Sequence, residues 1–309
     1  MAAGSKKVIW AALIGNGLIS ITKFIAAAMT GSSAMMSEGV HSLVDTGNQV
    51  LLLYGLKAAK KPADENFPFG HGKEIYFWSF VVAILIFAIG AGISIYEGVH
   101  HILHPKELSD PTINYIVLGL AMIFEGFALA IATKEFNKAR GKRGTLDAVR
   151  HGKDPTLFVV LFEDSAAMLG LVIAFIGIWL AQTTGILWFD GLASVLIGCI
   201  LAITAFWLAC ETKSLLIGER AETEIVEGIE SILNKTNGVQ ATNEVLTLHM
   251  GPEFILANIS VEFSDGMEVG QLENAIKTVD KEIKSQFPIV KRVFIEAEDH
   301  TPNAPQPKD

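Results

Sequence analysis

The order of hydrophobic and polar positions divides the chain into a long apolar part and a shorter polar part. Apolar runs broken by short polar segments extend to about residue 211, whereas residues 212–309 mix polar and apolar positions. Several of these runs exceed the roughly 18 residues that a membrane-spanning helix requires. No small-residue cleavage site follows the first run, which predicts a retained helix and not a signal peptide. We predict six spans, at residues 8–30, 33–59, 75–103, 112–136, 156–181 and 186–211.

The polar part has the periodicity of a small mixed domain. Residues 222–235 and 269–287 show the helical spacing of apolar side chains, and residues 290–297 form a strand pattern. Residues 239–249 and 254–263 alternate apolar and polar positions around Gly251-Pro252, which predicts a β-hairpin. The expected fold is an α-helical membrane protein with six transmembrane helices and a small C-terminal cytoplasmic α+β domain, ordered helix-strand-strand-helix-strand.

Charge separates the same two parts. The 309 residues are 50% hydrophobic with a net charge of −9, and residues 212–309 contain 17 Asp and Glu against 9 Lys and Arg, which accounts for −8 of that total. The acidity therefore belongs to the C-terminal part and gives no support for nucleic-acid binding. We predict a six-helix transmembrane domain at residues 1–211, a ferredoxin-like domain at 212–300 and a disordered tail at 301–309.

Basic residues predict the orientation in the membrane. They concentrate before the first span, after the second and after the fourth, whereas the opposite loops contain little more than Lys106. This asymmetry places both termini in the cytoplasm. The start of the chain lacks transit-peptide character, which favours a bacterial inner membrane.

His41 and Asp45 are ionisable residues inside the second apolar run. They are four residues apart, so a helix presents both from one face. Ionisable groups at membrane depth are costly and usually line a pathway or cavity. An imidazole and a carboxylate in this arrangement can bind one divalent metal ion. The alternative is that His41 is hydrogen-bonded to a neighbouring helix while Asp45 belongs to a packing network.

Glu163 and Asp164 are adjacent carboxylates in the fifth apolar run. Their side chains are about 100° apart around a helix, so one is expected to face the second helix and the other to flank it. In a low-dielectric site they would share a proton or a metal ion in preference to both remaining ionised. The alternative is that both bind only water or backbone groups.

Further polar residues occur in the apolar runs. Glu38 lies one turn before His41 and is interpreted as a proton or entry carboxylate or as a solvated interfacial group. Glu125 of the fourth span either relays protons or pairs with Lys23 of the first span. Asn48 is expected to donate a hydrogen bond between helices. Cys199 and Cys210 have no thiolate-site or disulfide pattern and are expected to be small buried side chains.

The chain resembles the cation diffusion facilitator family of metal/proton antiporters. The resemblance rests on Gly31-Ser-Ser-Ala-Met-Met-Ser-Glu-Gly-Val-His-Ser-Leu-Val-Asp45, on Phe69-Gly-His-Gly-Lys73 and on Trp188-Phe-Asp190-Gly-Leu-Ala. Within the family it is similar to the zinc-transporter branch with a Glu-Asp pair in the fifth span. The resemblance implies a homodimer in the lipid bilayer that exports Zn(II) from the cytoplasm in exchange for protons by alternating access.

The resemblance also implies ligands. His41 and Asp45 match the second-span positions and Asp164 matches the fifth-span aspartate, but Val160 stands where the family usually has His or Asp. Glu163 is the nearest candidate for the fourth ligand, with water or another side chain as the alternative.

Two secondary sites of the family are eroded in this chain. In the loop after the second span Phe67 replaces a ligand, leaving Asp64 and His71. In the C-terminal domain Asn243 and Ser260 occupy positions where the family usually has histidine. Three residues near the end of the last strand either bind a metal ion or are simply solvated: Glu296, Glu298 and His300. One essential metal site per protomer is therefore expected.

The donor types limit the cargo and the activity. One imidazole with three carboxylates suits Zn(II), Co(II), Fe(II) or Mn(II) better than Cu(I), since no thiolate is present. An enzyme is disfavoured because the chain has neither a His-Glu-x-x-His nor a Gly-x-Ser-x-Gly motif, and no resident cofactor is expected. A non-transporting membrane anchor for an interaction domain remains the alternative from another class.

Overall fold

The computed structural model describes residues 3–105, 112–140, 144 and 155–299. These residues form two compact units. Residues 3–57 and 75–213 make up the first, and residues 58–74 and 214–299 make up the second. The second unit therefore contains the C-terminal module together with the connection between the second and third helices.

Among the described residues the first unit contains six long helices, which confirms a helical membrane domain. Their bounds are α1 Ala3–Thr30, α2 Ser33–Ala58, α3 Glu74–Leu103, α4 Thr112–Arg140, α5 Pro155–Thr184 and α6 Trp188–Ile217. Within the described residues α3 to α6 are long and apolar enough to cross a membrane. The 28 residues of α1 and the 26 of α2 also suffice in length. Helix α2 is less apolar because it carries Glu38, His41 and Asp45.

Helix ends deviate modestly from the predicted spans. Helix α6 continues to Ile217, although its apolar run ends near residue 211, because a helix does not need to stop where the bilayer does. It ends at Gly218, whose φ of 128° is accessible to glycine but strained for other residues. Helix α3 contains a π-helical turn at Ile86–Ala91.

Helices α3 and α6 approach each other through glycine. A Cβ atom added to Gly98 would lie 2.7 Å from the Gly191 carbonyl oxygen, and one added to Gly191 would lie 2.9 Å from the Gly98 oxygen. Only glycine permits this backbone contact, which is typical of membrane helix pairs. On the outer side of α6, Cys199 and Cys210 are free and exposed, so the expectation that they are buried was wrong. They share a helical face with exposed Ile203 and Phe206.

The C-terminal module follows the predicted order. It comprises α7 Thr223–Leu233, β1 Val239–Gly251, β2 Phe254–Phe263, α8 Val269–Gln286 and β3 Val290–Ala297. Strand β2 is central, antiparallel to β1 as the predicted hairpin requires and parallel to β3. Ile255, Ile259 and Val261 lie on one face of β2, are fully buried and belong to one core with apolar residues of both helices. Burial of one strand face under two amphipathic helices is what holds this module together.

Candidate metal site

His41 and Asp45 lie on one face of α2 and are buried, at 1% and 6% exposure. The His41 Nδ1 atom is 3.3 Å from Asp45 Oδ1, but the pair lacks hydrogen-bond geometry. In the described part of the protein neither ring nitrogen of His41 has a hydrogen-bond partner, and neither does Asp45 Oδ1. Buried polar atoms are almost always partnered because desolvation without a hydrogen bond is costly. These atoms therefore have unused capacity to bind a cation or a proton.

Glu163 brings α5 against this face of α2. Its side chain is 5% exposed, and its Oε1 atom accepts a hydrogen bond of 2.7 Å from Asn48 Nδ2. The interhelix role predicted for Asn48 is confirmed. The carboxyl groups of Asp45 and Glu163 lie within hydrogen-bonding reach of each other. Two facing carboxyl groups in a low-dielectric site require a proton or a cation between them.

Asp164 occupies the neighbouring face of α5 and is only partly buried. It lies within electrostatic reach of Glu163 and of Glu125 on α4. In this conformation no three His, Cys, Asp or Glu side chains among the described residues converge closely enough to hold one metal ion. The four-ligand set of His41, Asp45, Glu163 and Asp164 therefore remains a prediction.

Glu38 is not a solvated interfacial group, so that interpretation was wrong. It is 0% exposed, and its Oε2 atom accepts a hydrogen bond of 2.9 Å from the ammonium of Lys23, which is itself 1% exposed. Lys23 also donates to Ser42 Oγ at 2.7 Å. The ion pair of Lys23 is thus with Glu38 and not, as one sequence interpretation had it, with Glu125. The lysine inside the first apolar run indicates that a buried acidic partner exists, but the sequence does not show which residue of another helix it is.

Asp190 fixes the start of α2, a role that the sequence did not indicate. The carboxylate belongs to α6 and is fully buried. Its Oδ2 atom accepts hydrogen bonds from the Ser33 backbone N–H at 2.6 Å and from Ser33 Oγ at 2.9 Å, while Ser32 Oγ donates to Oδ1 at 2.5 Å. A negative charge at a helix N-terminus is stabilising. Asp190 therefore links α6 to the helix that carries His41 and Asp45.

The loop between α2 and α3 is closed by a hydrogen bond between two side chains. His71 Nε2 lies 2.9 Å from Asp64 Oδ2, and Asp64 Oδ1 accepts the backbone N–H groups of Asn66 at 2.9 Å and Phe67 at 2.8 Å. The hydrogen bond from His71 and then the backbone bonds lower the pKa of Asp64 below its usual value. The Phe67 ring lies 4.5 Å from the His71 ring, centroid to centroid. The two remaining candidate ligands therefore bind each other.

In the C-terminal module Glu298 is held by hydrogen bonds. Ser260 Oγ donates to Glu298 Oε2 at 2.5 Å, and Asn243 Nδ2 donates to Ser260 Oγ at 3.1 Å. Of the two residues that stand at the expected histidine positions, Ser260 binds the candidate carboxylate and Asn243 binds Ser260, so Glu298 is not merely solvated. Glu296 is exposed near the end of β3, and His300 lies outside the described residues.

Comparison with known families identifies the architecture. Residues 9–217 match the cation efflux transmembrane domain, and residues 221–300 match the cytoplasmic domain of cation efflux proteins. The chain belongs to the cation efflux family. It is therefore a multi-pass membrane protein of a family of metal transporters, and the resemblance stated above is confirmed.

Three curated relatives differ in the metal that they are named for. The human mitochondrial proton-coupled zinc antiporter SLC30A9 is 32% identical over 268 residues, which cover 86% of this chain and 47% of that protein. The manganese efflux system protein MneP of Bacillus subtilis is 22% identical over 94% of this chain and 95% of the relative. The cation-efflux pump FieF of Escherichia coli is 25% identical over 88% and 85%. The chain spans about half the length of the zinc antiporter that it matches.

Proposed function

We propose that this chain is a proton-coupled antiporter that exports a divalent transition metal, Zn(II), from the cytoplasm. The cargo is held between α2 and α5 by His41, Asp45, Glu163 and Asp164. One observation carries this proposal: both ring nitrogens of His41 and the Oδ1 atom of Asp45 are buried without hydrogen-bond partners among the described residues, and Asp45 adjoins the carboxyl group of Glu163. A divalent cation supplies the positive charge that these donors lack.

Exchange with protons follows from the same charges. When the cation leaves, facing carboxyl groups in a low-dielectric site cannot all remain negative, so protons replace it. When the site next opens to the cytoplasm, the protons leave and the metal binds again. Alternating access of one site therefore couples metal export to proton uptake without a separate proton path.

Zinc is favoured by the relatives named as zinc antiporters and by a donor set of one imidazole with carboxylates. Manganese is the second candidate, because MneP is aligned over nearly its whole length with this chain. Oxygen-rich donor sets accept Mn(II), and Fe(II) and Co(II) are also compatible. A transport panel across these four ions decides the cargo.

The proposal includes the orientation of the chain in the membrane, its oligomeric state and its location. Both termini and the module at residues 212–300 face the cytoplasm, so the N-terminal end of α2 faces the opposite side. The module mediates a homodimer, in keeping with its match to the cytoplasmic domain of the family. A bacterial inner membrane is the proposed location, although the human zinc antiporter named above is mitochondrial.

Flux in proteoliposomes tests the function. With purified protein and radioactive zinc, an imposed pH gradient should drive zinc movement against its own gradient, accompanied by opposite proton movement. Zinc flux that ignores the pH gradient would reject proton coupling. Absence of flux for all four ions would favour the membrane-anchor interpretation.

A further inference from the structure

Lys23 is a buried cation that is not among the proposed metal ligands and is not needed to form their site. Its ammonium is 1% exposed and lies in α1, where it donates to Glu38 and Ser42 of α2. A buried Lys–Glu pair rarely stabilises a fold more than an apolar pair of the same shape, because both groups lose their hydration. A charged pair at membrane depth therefore points to a role in the ion pathway.

Glu38 lies along the same contact between helices α2 and α5 as the proposed metal site. We call this contact the α2/α5 seam, formed by Glu38, His41, Asp45 and Asn48 of α2 with Glu163 and Gly170 of α5. Asn48 binds Glu163, and Glu38 lies against Gly170, so the two helices run antiparallel along it. Glu38 precedes Asp45 by seven residues, which is two helical turns on one face and about 10 Å along the axis.

The second oxygen of Glu38 is unused. Glu38 Oε1 is buried and has no hydrogen-bond partner among the described residues. It approaches α5 at Gly170, where even a Cβ atom would collide with it. The carboxylate therefore binds Lys23 through one oxygen and presents the other to the seam.

We infer that Glu38 is a second cation-binding carboxylate, and that Lys23 occupies it as a tethered cation until the cargo arrives. Cargo that leaves His41 and Asp45 towards the N-terminal end of α2 displaces the Lys23 ammonium from Glu38, and the ammonium returns once the cargo has gone. This inference rests on the proposed function for its cargo and on the proposed orientation for its direction.

Metal-binding stoichiometry tests the inference directly. In Lys23→Met the buried Glu38 carboxylate loses its tethered cation, so equilibrium dialysis of purified protein with radioactive zinc should show two ions per protomer in place of one. The control Lys23→Met with Glu38→Gln should return the value to one. A stoichiometry that is unchanged in Lys23→Met would overturn the inference.

A second set of variants tests this inference separately from the proposed function. Lys23→Met combined with Asp45→Asn removes a ligand of the main site but keeps Glu38, so one ion should remain, and it should disappear when Glu38→Gln is added. If the main site is misplaced, this Glu38-dependent ion persists. If Glu38 is only a structural partner of Lys23, no such ion is seen.

A third measurement applies if Lys23→Met does not fold. The neutral variant Lys23→Met with Glu38→Gln leaves no buried charge unpaired and is expected to fold. Its zinc turnover should fall at least about tenfold with little change in KM, because one carboxylate of the exit route is missing. Turnover at the wild-type level in this folded variant would assign the ion pair a structural role only.

Discussion

Two sets of acidic side chains in this protein differ in how completely they are partnered. In the second unit Asp64 accepts bonds from His71 and two backbone N–H groups, and Glu298 accepts a bond from Ser260. In the α2/α5 seam Asp45 Oδ1, Glu38 Oε1 and both nitrogens of His41 have no hydrogen-bond partner among the described residues. The partnered carboxylates close a loop and a strand end, whereas the seam carboxylates Asp45 and Glu38 each keep one buried oxygen available for the proposed ion.

The largest effect is expected from Asp45→Ala. Loss of a ligand should lower zinc flux at least about 100-fold, since outer-shell changes alone cost about 10–100-fold in metal affinity or activity. Flux in proteoliposomes measures it, and size-exclusion chromatography checks folding. Asp64→Asn is the matched control, because it removes a carboxylate that is already bound by its own loop. An equal loss of zinc flux in both variants would contradict the difference between the seam carboxylates and those of the second unit.

The next effect concerns the adjacent carboxylates of α5. Glu163→Gln retains a side chain that can accept the bond from Asn48 but removes the charge beside Asp45, so zinc affinity should fall at least about tenfold. Asp164→Asn should also weaken binding, because Asp164 is the proposed partner on the flanking face. Isothermal titration calorimetry measures both. Unchanged affinity in Glu163→Gln removes that residue from the ligand set.

A smaller effect, on stability, is expected from Asp190→Asn. The amide keeps the shape but loses the charge at the N-terminus of α2, which should lower the free energy of unfolding by about 1–2 kcal/mol. Thermal unfolding in detergent measures the shift. Asp280→Asn is the control, since Asp280 forms a surface pair with Lys284 at 2.6 Å that is 36–40% exposed and screened by water. A Tm identical to wild type in Asp190→Asn would contradict the anchoring role.

The smallest effect is a pH dependence of the loop at residues 58–74. The pKa of Asp64 is lowered in the folded protein, so its contribution to stability is complete above the unfolded value of about 3.9 and is lost as the pH falls through the lower folded value. Hydrogen exchange of the Asn66 and Phe67 amides should therefore show extra opening only in acid. Asp64→Asn should abolish this acid-dependent step, and its persistence in that variant would assign it to another group.

Several elements were predictable because they depend on local patterns. The hairpin around Gly251-Pro252 follows from alternation, and its register is seen in β1 and β2. The shared face of His41 and Asp45 follows from helical spacing, and the interhelix bond of Asn48 follows from the cost of leaving an amide unpartnered in a bilayer. The interpretation of Glu38 as a solvated group was wrong because a sequence gives depth along its own helix but not the partner on the next helix.

The sequence by itself determined the membrane helices, the C-terminal α+β module and the positions of the ionisable residues within them, because burial of apolar surface follows periodicity along one chain. Tertiary structure alone decided that Glu163 adjoins Asp45, that Lys23 neutralises Glu38 and that Asp190 holds the start of α2. Each of these contacts joins side chains of different helices. Their distances depend on how those helices rotate and pack, which no pattern within a single helix specifies.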